Sequence, residues 1–175
     1  AGKRVVVTQA VHQAPELAAL LANAGATPLL YPCIAIEPMP DTSQLDAAIS
    51  DATIGRFDWL VVTSANTVLV LAQRLAALGI APDQLSQLSI AAIGDASAGA
   101  VREQLHLPVA LTATDSVAEG LAGELTSVLP PGSRVFLPQA NIARPLLQNA
   151  LRDAGHQVAA ISAYRTVIGH GGVDL

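Results

Sequence analysis

Sliding the chain along itself by 130 positions lays Gly2-Lys3-Arg4-Val5-Val6-Val7-Thr8-Gln9-Ala10 on Gly132-Ser133-Arg134-Val135-Phe136-Leu137-Pro138-Gln139-Ala140. The match continues without a gap: Leu17 meets Leu147, Leu21 meets Leu151, and Ala24-Gly25 meets Ala154-Gly155. Each copy then runs into an extended segment, residues 27–38 or 157–168. Two βα units of any α/β protein share some of these features, but an ungapped register over about 25 residues points to one architecture used twice. Residues 36–165, between the copies, are then long enough for one complete domain. Residues 1–35 cannot bury a sheet alone and belong, with residues 166–175, to a second domain. In the repeat register Leu175 corresponds to Leu45, where a helix begins. About 80 further residues are therefore expected to complete that second domain.

The local pattern agrees with such a plan. Short Val/Ile/Leu-rich runs at 3–8, 58–63, 89–93, 108–112, 134–137 and 157–161 show little polar alternation, as strands buried on both faces do. Between them, apolar residues recur at helical spacing, as in Leu17, Leu20, Leu21 and Leu146, Leu147, Ala150, Leu151. Further helices are expected over 43–52, 66–78, 96–105 and 117–128. Ser116 with Glu119 reads as a capping box, Pro15 and Pro145 as first-turn prolines, and Gly25, Gly79 and Gly155 as helix stops. Alternation of this kind predicts an α/β fold: two similar doubly wound, flavodoxin-like parallel-sheet domains joined by two long extended connections, one domain being incomplete.

Several function classes lose support. With 51% apolar and 13% charged residues, disorder is excluded. A net charge of −5 and 3% aromatic residues argue against nucleic-acid binding. No apolar stretch is long enough to span a membrane, and the N-terminus has no signal-peptide pattern; a cytoplasmic protein is expected, with a leader already removed as the open alternative. Cys33, among Leu29, Leu30, Tyr31 and Ile34, reads as a small buried hydrophobe. His12, His106, His156 and His170 lack metal-ligand spacing, and His106 and His156 read as solvated loop residues just before strands. Phosphate-loop and serine-hydrolase signatures are also lacking.

What remains is positional. In an open parallel sheet, ligands bind beyond the carboxyl ends of the strands. Those ends, at residues 8–9, 63–66, 94–97, 114–116 and 138–140, are rich in small and hydroxyl residues, and most lead straight into a helix. Helix starts present unpaired N–H groups and a positive dipole end, suited to carboxylate or phosphate. The same residue types also serve simply as helix caps. Thr63-Ser64-Ala65-Asn66 is the strongest candidate turn. Arg144 lies near a helix start, where a cation opposes the dipole; a ligand or partner carboxylate would explain it, as would plain solvent exposure. Tyr164 follows the last strand, with a packing role and a role in the site both open.

These motifs, in order, resemble uroporphyrinogen-III synthase. The likeness is carried by Arg4-Val5-Val6-Val7-Thr8, by Pro32 through Pro38, by Phe57-Asp58-Trp59-Leu60-Val61-Val62-Thr63-Ser64-Ala65-Asn66, and by Ile90-Ala91-Ala92-Ile93-Gly94 leading to Ser97-Ala98. It continues through Asp115-Ser116 with Glu119-Gly120-Leu121, Val135-Phe136-Leu137-Pro138 and Ala163-Tyr164-Arg165-Thr166. The resemblance implies a hydro-lyase that closes linear hydroxymethylbilane into uroporphyrinogen III, with loss of water and inversion of the last pyrrole ring. It implies no metal or organic cofactor, because the substrate is already reactive and needs mainly to be oriented. The implied substrate-binding set is Thr63, Ser64, Gly94, Ser97, Ser116 and Arg144. Tyr164 is the implied proton donor, and, a phenol being a weak acid, its contribution is expected to be modest. Partners implied are hydroxymethylbilane itself and the upstream hydroxymethylbilane synthase, with neither nucleic acid nor membrane. Gln9 and Gln139-Ala140 depart from the family pattern, where Arg and Arg-Gly are common, as does Ser97 where Thr is usual. Those departures keep a second reading open: a non-catalytic module of the same fold that binds or senses a small anion. A third is one domain of a fusion with a neighbouring tetrapyrrole enzyme.

Overall fold

Runs of Val and Leu without polar alternation need cover on both faces, and the computed structural model, which describes residues 2–115 and 117–169, provides it in the larger of two units. Unit 1 is Ala1–Glu37 with Arg165–Leu175, and unit 2 is Pro38–Tyr164.

In unit 1, β1 (Arg4–Val7), α1 (Ala14–Asn23) and β2 (Thr27–Leu30) form one βαβ turn. β1 and β2 pair in parallel, Arg4 opposite Thr27 and Val7 opposite Leu30. The extended segment after α1 breaks at Tyr31-Pro32-Cys33 and resumes as β3 (Ile34–Pro38). The Gly169 N–H donates to Cys33 O at 2.9 Å, and Arg165 Nη2 meets Glu37 Oε2 at 2.5 Å. These opposed pairings run β3 antiparallel to the last residues of β8 (Gln157–Ile168), so the fold is α/β with a mixed sheet.

Unit 2 continues with α2 (Ser43–Thr53), β4 (Trp59–Val62), α3 (Ala65–Leu78), β5 (Ser89–Ala92), α4 (Asp95–Ala100, prolonged by a π-turn over Val101–Leu105), β6 (Leu111–Thr112), α5 (Ala118–Val128), β7 (Arg134–Ala140) and α6 (Leu146–Asp153), and ends within β8. Its strands lie in the order β8-β7-β4-β5-β6, every neighbouring pair parallel. One face carries α5 and α6, whose Leu121, Leu125, Leu147 and Leu151 pack on Trp59, Val61, Ala91, Val135 and Leu137. Alternation along the strands turns Leu60 and Phe136 to the other face, where α2 and α3 contact β7.

The repeat survives in individual hydrogen bonds. Thr27 N–H donates to Lys3 O as Gln157 N–H donates to Ser133 O, and Ala26 N–H to Leu21 O as His156 N–H to Leu151 O. Gly25 and Gly155 both follow a helix end with φ of 79° and 88°, a left-handed turn that an L side chain resists. Counted from β7, the sheet order is 2-1-3-4-5, as in flavodoxin; counted from β4 it is 3-2-1-4-5. In unit 2, the βαβ turn that opens the order therefore comes last in the chain.

Several local expectations change. The run at 108–112 yields only the two-residue β6, whereas 134–137 extends to Ala140. Pro145 is the N-cap of α6 rather than a residue of its first turn. α5 starts after Val117, and the capping box expected of Ser116 with Glu119 involves Ser116, which lies outside the described residues. Cys33 is exposed, because it sits in the break between β2 and β3 rather than inside a strand. His156 is 7% exposed, drawn in where α6 turns into β8. His106 is exposed, as expected of a loop residue.

At the amino edge of the unit 2 sheet, Asp58 accepts from Arg134 Nη2 at 2.6 Å, from Nε at 3.0 Å and from the Arg134 backbone N–H at 2.7 Å. These hydrogen bonds hold the Asp58 carboxyl below its ordinary pKa. A group depressed in the folded state adds stability above its unfolded pKa, near 3.9, and loses it as pH falls through the folded value. We expect Asp58→Asn to lower the urea midpoint at pH 7 and to flatten its fall below about pH 4. Parallel acid limbs for the two proteins would refute this. The pair is partly solvated, so the effect is small.

In α5, a Cβ on Gly120 would lie 2.8 Å from both Cβ and O of Asp115. Helix propensity alone favours Ala over Gly by about 1 kcal/mol. Because the clash involves backbone, Gly120→Ala is expected to lower Tm instead, read by circular dichroism. A rise in Tm would show that the turn yields.

Candidate functional site

Because the strands of unit 2 are parallel, their carboxyl ends share one rim. The switch point lies between β7 and β4, whose following helices, α6 and α3, pack on opposite faces, and open sheets of this kind take ligands there. Thr63 and Ser64 leave β4 at this position. Ser64 is the N-cap of α3, its Oγ accepting from Thr67 N–H at 3.2 Å. The same oxygen lies 3.0 Å from Tyr164 Oη and 3.4 Å from Thr67 Oγ1.

Tyr164 reaches this position through an irregularity in β8. Gln139 is opposite Ser162, yet Ala140 is opposite Tyr164, so β8 carries one extra residue there. A bulge of this kind switches the following side chains to the other face, and bulges commonly re-aim residues beside functional sites. Without it, Tyr164 would share the face of Ser162. With it, Ala163 and Tyr164 are both buried, at 1% and 5% exposure. The carbonyl of Tyr164 accepts from Asn141 N–H at 2.9 Å, tying the bulge to the turn after β7.

The other expected residues distribute along the rim. Gly94 is the buried N-cap of α4, and Ser97 is buried on that helix, after the neighbouring strand β5. Arg144 stands in the turn after β7, largely exposed, with Nη1 3.3 Å from Glu119 Oε1. The carboxylate that offsets its unfavourable helix-start position is therefore Glu119 of α5. Ser116 lies outside the described residues. The structure thus joins Ser64 and Tyr164 directly, and it adds Thr67 and Glu119, which sequence reasoning missed as site residues. Thr67 could have been suspected from its place three residues after a capping serine.

Part of the rim's donor capacity is already used. Thr67 N–H is taken by Ser64, and Thr114 N–H donates to Glu124 Oε1 at 2.9 Å. Among the described residues no cluster of three or more His, Cys, Asp or Glu has metal-holding geometry, and no helix is long and apolar enough to cross a membrane. A cavity of about 270 Å³ lies at the opposite edge of the sheet, lined by Arg56, Phe57, Arg134, Gln157, Val158 and Ala159. Its two guanidinium groups are paired with Asp51 and Asp58, which leaves little charge for a ligand.

The hydroxyl-rich turn of Thr63 and Ser64 and the bulge-aimed Tyr164 thus meet at the switch point of a doubly wound α/β sheet. The chain belongs to the uroporphyrinogen-III synthase HemD family, whose model matches residues 15–173. It is 31% identical over 170 residues to a uroporphyrinogen-III synthase of Synechococcus elongatus, covering 94% of this chain and 61% of that protein. It is 25% identical over 167 residues to a porphyrin biosynthesis protein HemD of Ruminiclostridium josui, covering 94% of this chain and 32% of that one. A crystal structure of a mutant uroporphyrinogen III synthase from Thermus thermophilus matches with a TM-score of 0.68 and 26% identity, over 95% of this chain and 64% of the other. The chain thus spans about three fifths of the Synechococcus and Thermus proteins and about a third of the Ruminiclostridium one.

Proposed function

We propose that the protein is a uroporphyrinogen-III synthase: a cytoplasmic hydro-lyase that closes hydroxymethylbilane with inversion of the last pyrrole ring. The observation that carries this reading is the 3.0 Å contact between Ser64 and Tyr164 at the switch point of a chain from this family. The substrate is reactive and cyclises unaided to the uninverted type I isomer. The catalytic task is to orient it and to assist departure of its hydroxyl group, and neither needs a cofactor. Tyr164 is the proton donor in this reading. The turns bearing Thr63, Ser64, Gly94, Ser97 and Ser116 hold carboxylates, and Arg144 exchanges Glu119 for a substrate carboxylate. An unstable substrate also suits direct delivery by the hydroxymethylbilane synthase that makes it.

The domain plan belongs to the same proposal. Residues 36–165 form the complete central domain, and residues 1–35 with 166–175 are part of a similar one. Two paired strands and one helix bury little by themselves, and Val6, Leu20 and Leu30 of unit 1 are exposed. Further chain packed over such side chains gives unit 1 a larger core.

The test is separation of type I and type III uroporphyrinogen after brief incubation with fresh hydroxymethylbilane, using residues 1–175 and any longer polypeptide that contains them. Type III product from the longer form, with little from residues 1–175, is expected. Type I alone from both, at the rate without enzyme, rejects the activity. Full turnover by residues 1–175 rejects the domain plan.

A further inference from the structure

We propose that Thr67 and Ser64 are positioning residues for Tyr164, forming a one-way chain of hydroxyl donors that leaves the phenolic hydrogen free for a ligand. The inference deepens the reading above and rests on it for its functional meaning, although the geometry stands by itself.

Thr67 is fully buried, in the first turn of α3. A buried hydroxyl hydrogen without an acceptor is costly, and the acceptor Thr67 Oγ1 meets is Ser64 Oγ, at 3.4 Å. Ser64 Oγ already accepts Thr67 N–H at 3.2 Å. A hydroxyl oxygen has two lone pairs and one hydrogen. With both lone pairs engaged, Ser64 can meet Tyr164 Oη, at 3.0 Å, only by donating its own hydrogen. Tyr164, the less deeply buried of the two end residues at 5% exposure against 0% for Thr67, then accepts from Ser64 and keeps its own hydrogen for a ligand. The opposite sense, Tyr164 to Ser64 to Thr67, would strand the Thr67 hydrogen in the core and occupy the phenolic one. Ser64 therefore acts through Tyr164 and as the cap of α3, and its side chain has no hydrogen left for a substrate carboxylate.

Tyr31→Phe leaves Tyr164 as the single tyrosine, since the chain has two. With tyrosine labelled at the phenolic carbon, the infrared C–O band separates a phenol that accepts a hydrogen bond from one that only donates. In the Tyr31→Phe protein the band is expected at the accepting position. Thr67→Val should move it to the donating position, because Ser64 regains a lone pair and can take the phenolic hydrogen. Thr67→Ser should return it. Ser64→Ala should remove the accepting signature altogether. Because Ser64→Ala also removes a helix cap, the Thr67 pair decides the matter, with helix content checked by circular dichroism. A band that ignores Thr67→Val, or that moves equally in Thr67→Val and Thr67→Ser, overturns the inference. The product assay is read separately. Bands that respond as stated, with no type III product from any form, reject the enzymatic reading and leave the donor chain standing.

Discussion

Phe136→Ala is expected to lower the unfolding free energy of unit 2 by about 4 kcal/mol, the largest effect we predict for a single side chain. Phe136 is 1% exposed on β7, beside β4 at the switch point, with its backbone opposite Leu60. Its ring stacks on Phe57 at a centroid distance of 5.3 Å and an interplanar angle of 22°. Truncation forfeits both the transfer energy of the ring and the contacts around the cavity left behind. Parallel strands on both sides limit how far the gap can collapse. Trp59, the only tryptophan, lies in the same sheet, so its fluorescence in a urea titration reports this unit. Phe136→Leu should cost clearly less, because most of the volume is kept. A loss below about 1 kcal/mol for Phe136→Ala would mean that the site repacks and that the β4–β7 seam is not what supports the rim.

Tyr164→Phe is expected to slow type III formation about tenfold in an active preparation, while the protein stays folded. The ring remains to fill its buried position, and only the hydroxyl that meets Ser64 is removed. The modest factor follows from the chemistry: a phenol is a weak acid, and the substrate loses its hydroxyl group readily. Orientation by the rest of the rim survives the change, so the type III share of the product should fall less than the rate does. Initial rates with product separation check both numbers. An unchanged rate would remove Tyr164 from the chemistry and return it to a packing role. Loss of folding, seen as altered Trp59 fluorescence, would show that the hydroxyl is structural.

The order of elements was legible because it depends on short-range rules. β1, β4, β5 and β7 were readable as apolar runs that match the demands of a strand covered on both faces. The offset between the two βαβ turns was readable because the same local contacts recur in both, down to matching hydrogen bonds at Thr27 and Gln157. Ends were less legible. Glu119 has the spacing of a capping box with Ser116, which lies outside the described residues, and it also pairs with Arg144. A surface carboxylate can serve a helix start or a cation on a neighbouring turn, and spacing alone does not distinguish the two.

The candidate site divides in the same way. Thr63, Ser64, Gly94 and Ser97 are candidates because strand ends that lead into helices are visible along the chain. Tyr164 is a candidate by its position after the last strand, but its partner is not legible there. Ser64 and Tyr164 are 100 positions apart and meet because β8 lies two strands from β4, with Tyr164 turned by a bulge. Cys33 and His156 were misplaced for a related reason. Cys33 was judged by its apolar neighbours, though they sit at a break between strands, and His156 by its loop, though that loop tucks under α6.

The amino-acid sequence by itself determined the alternation of strands and helices, the repeated βαβ turn with its register, and the small hydroxyl residues at the strand ends. Each of these follows from side-chain periodicity and backbone preference over a few residues. Only the tertiary structure decided the strand order, the bulge that aims Tyr164, and the pairing of Arg144 with Glu119. Those depend on which distant segments lie side by side, a choice set by packing both faces of one sheet at once.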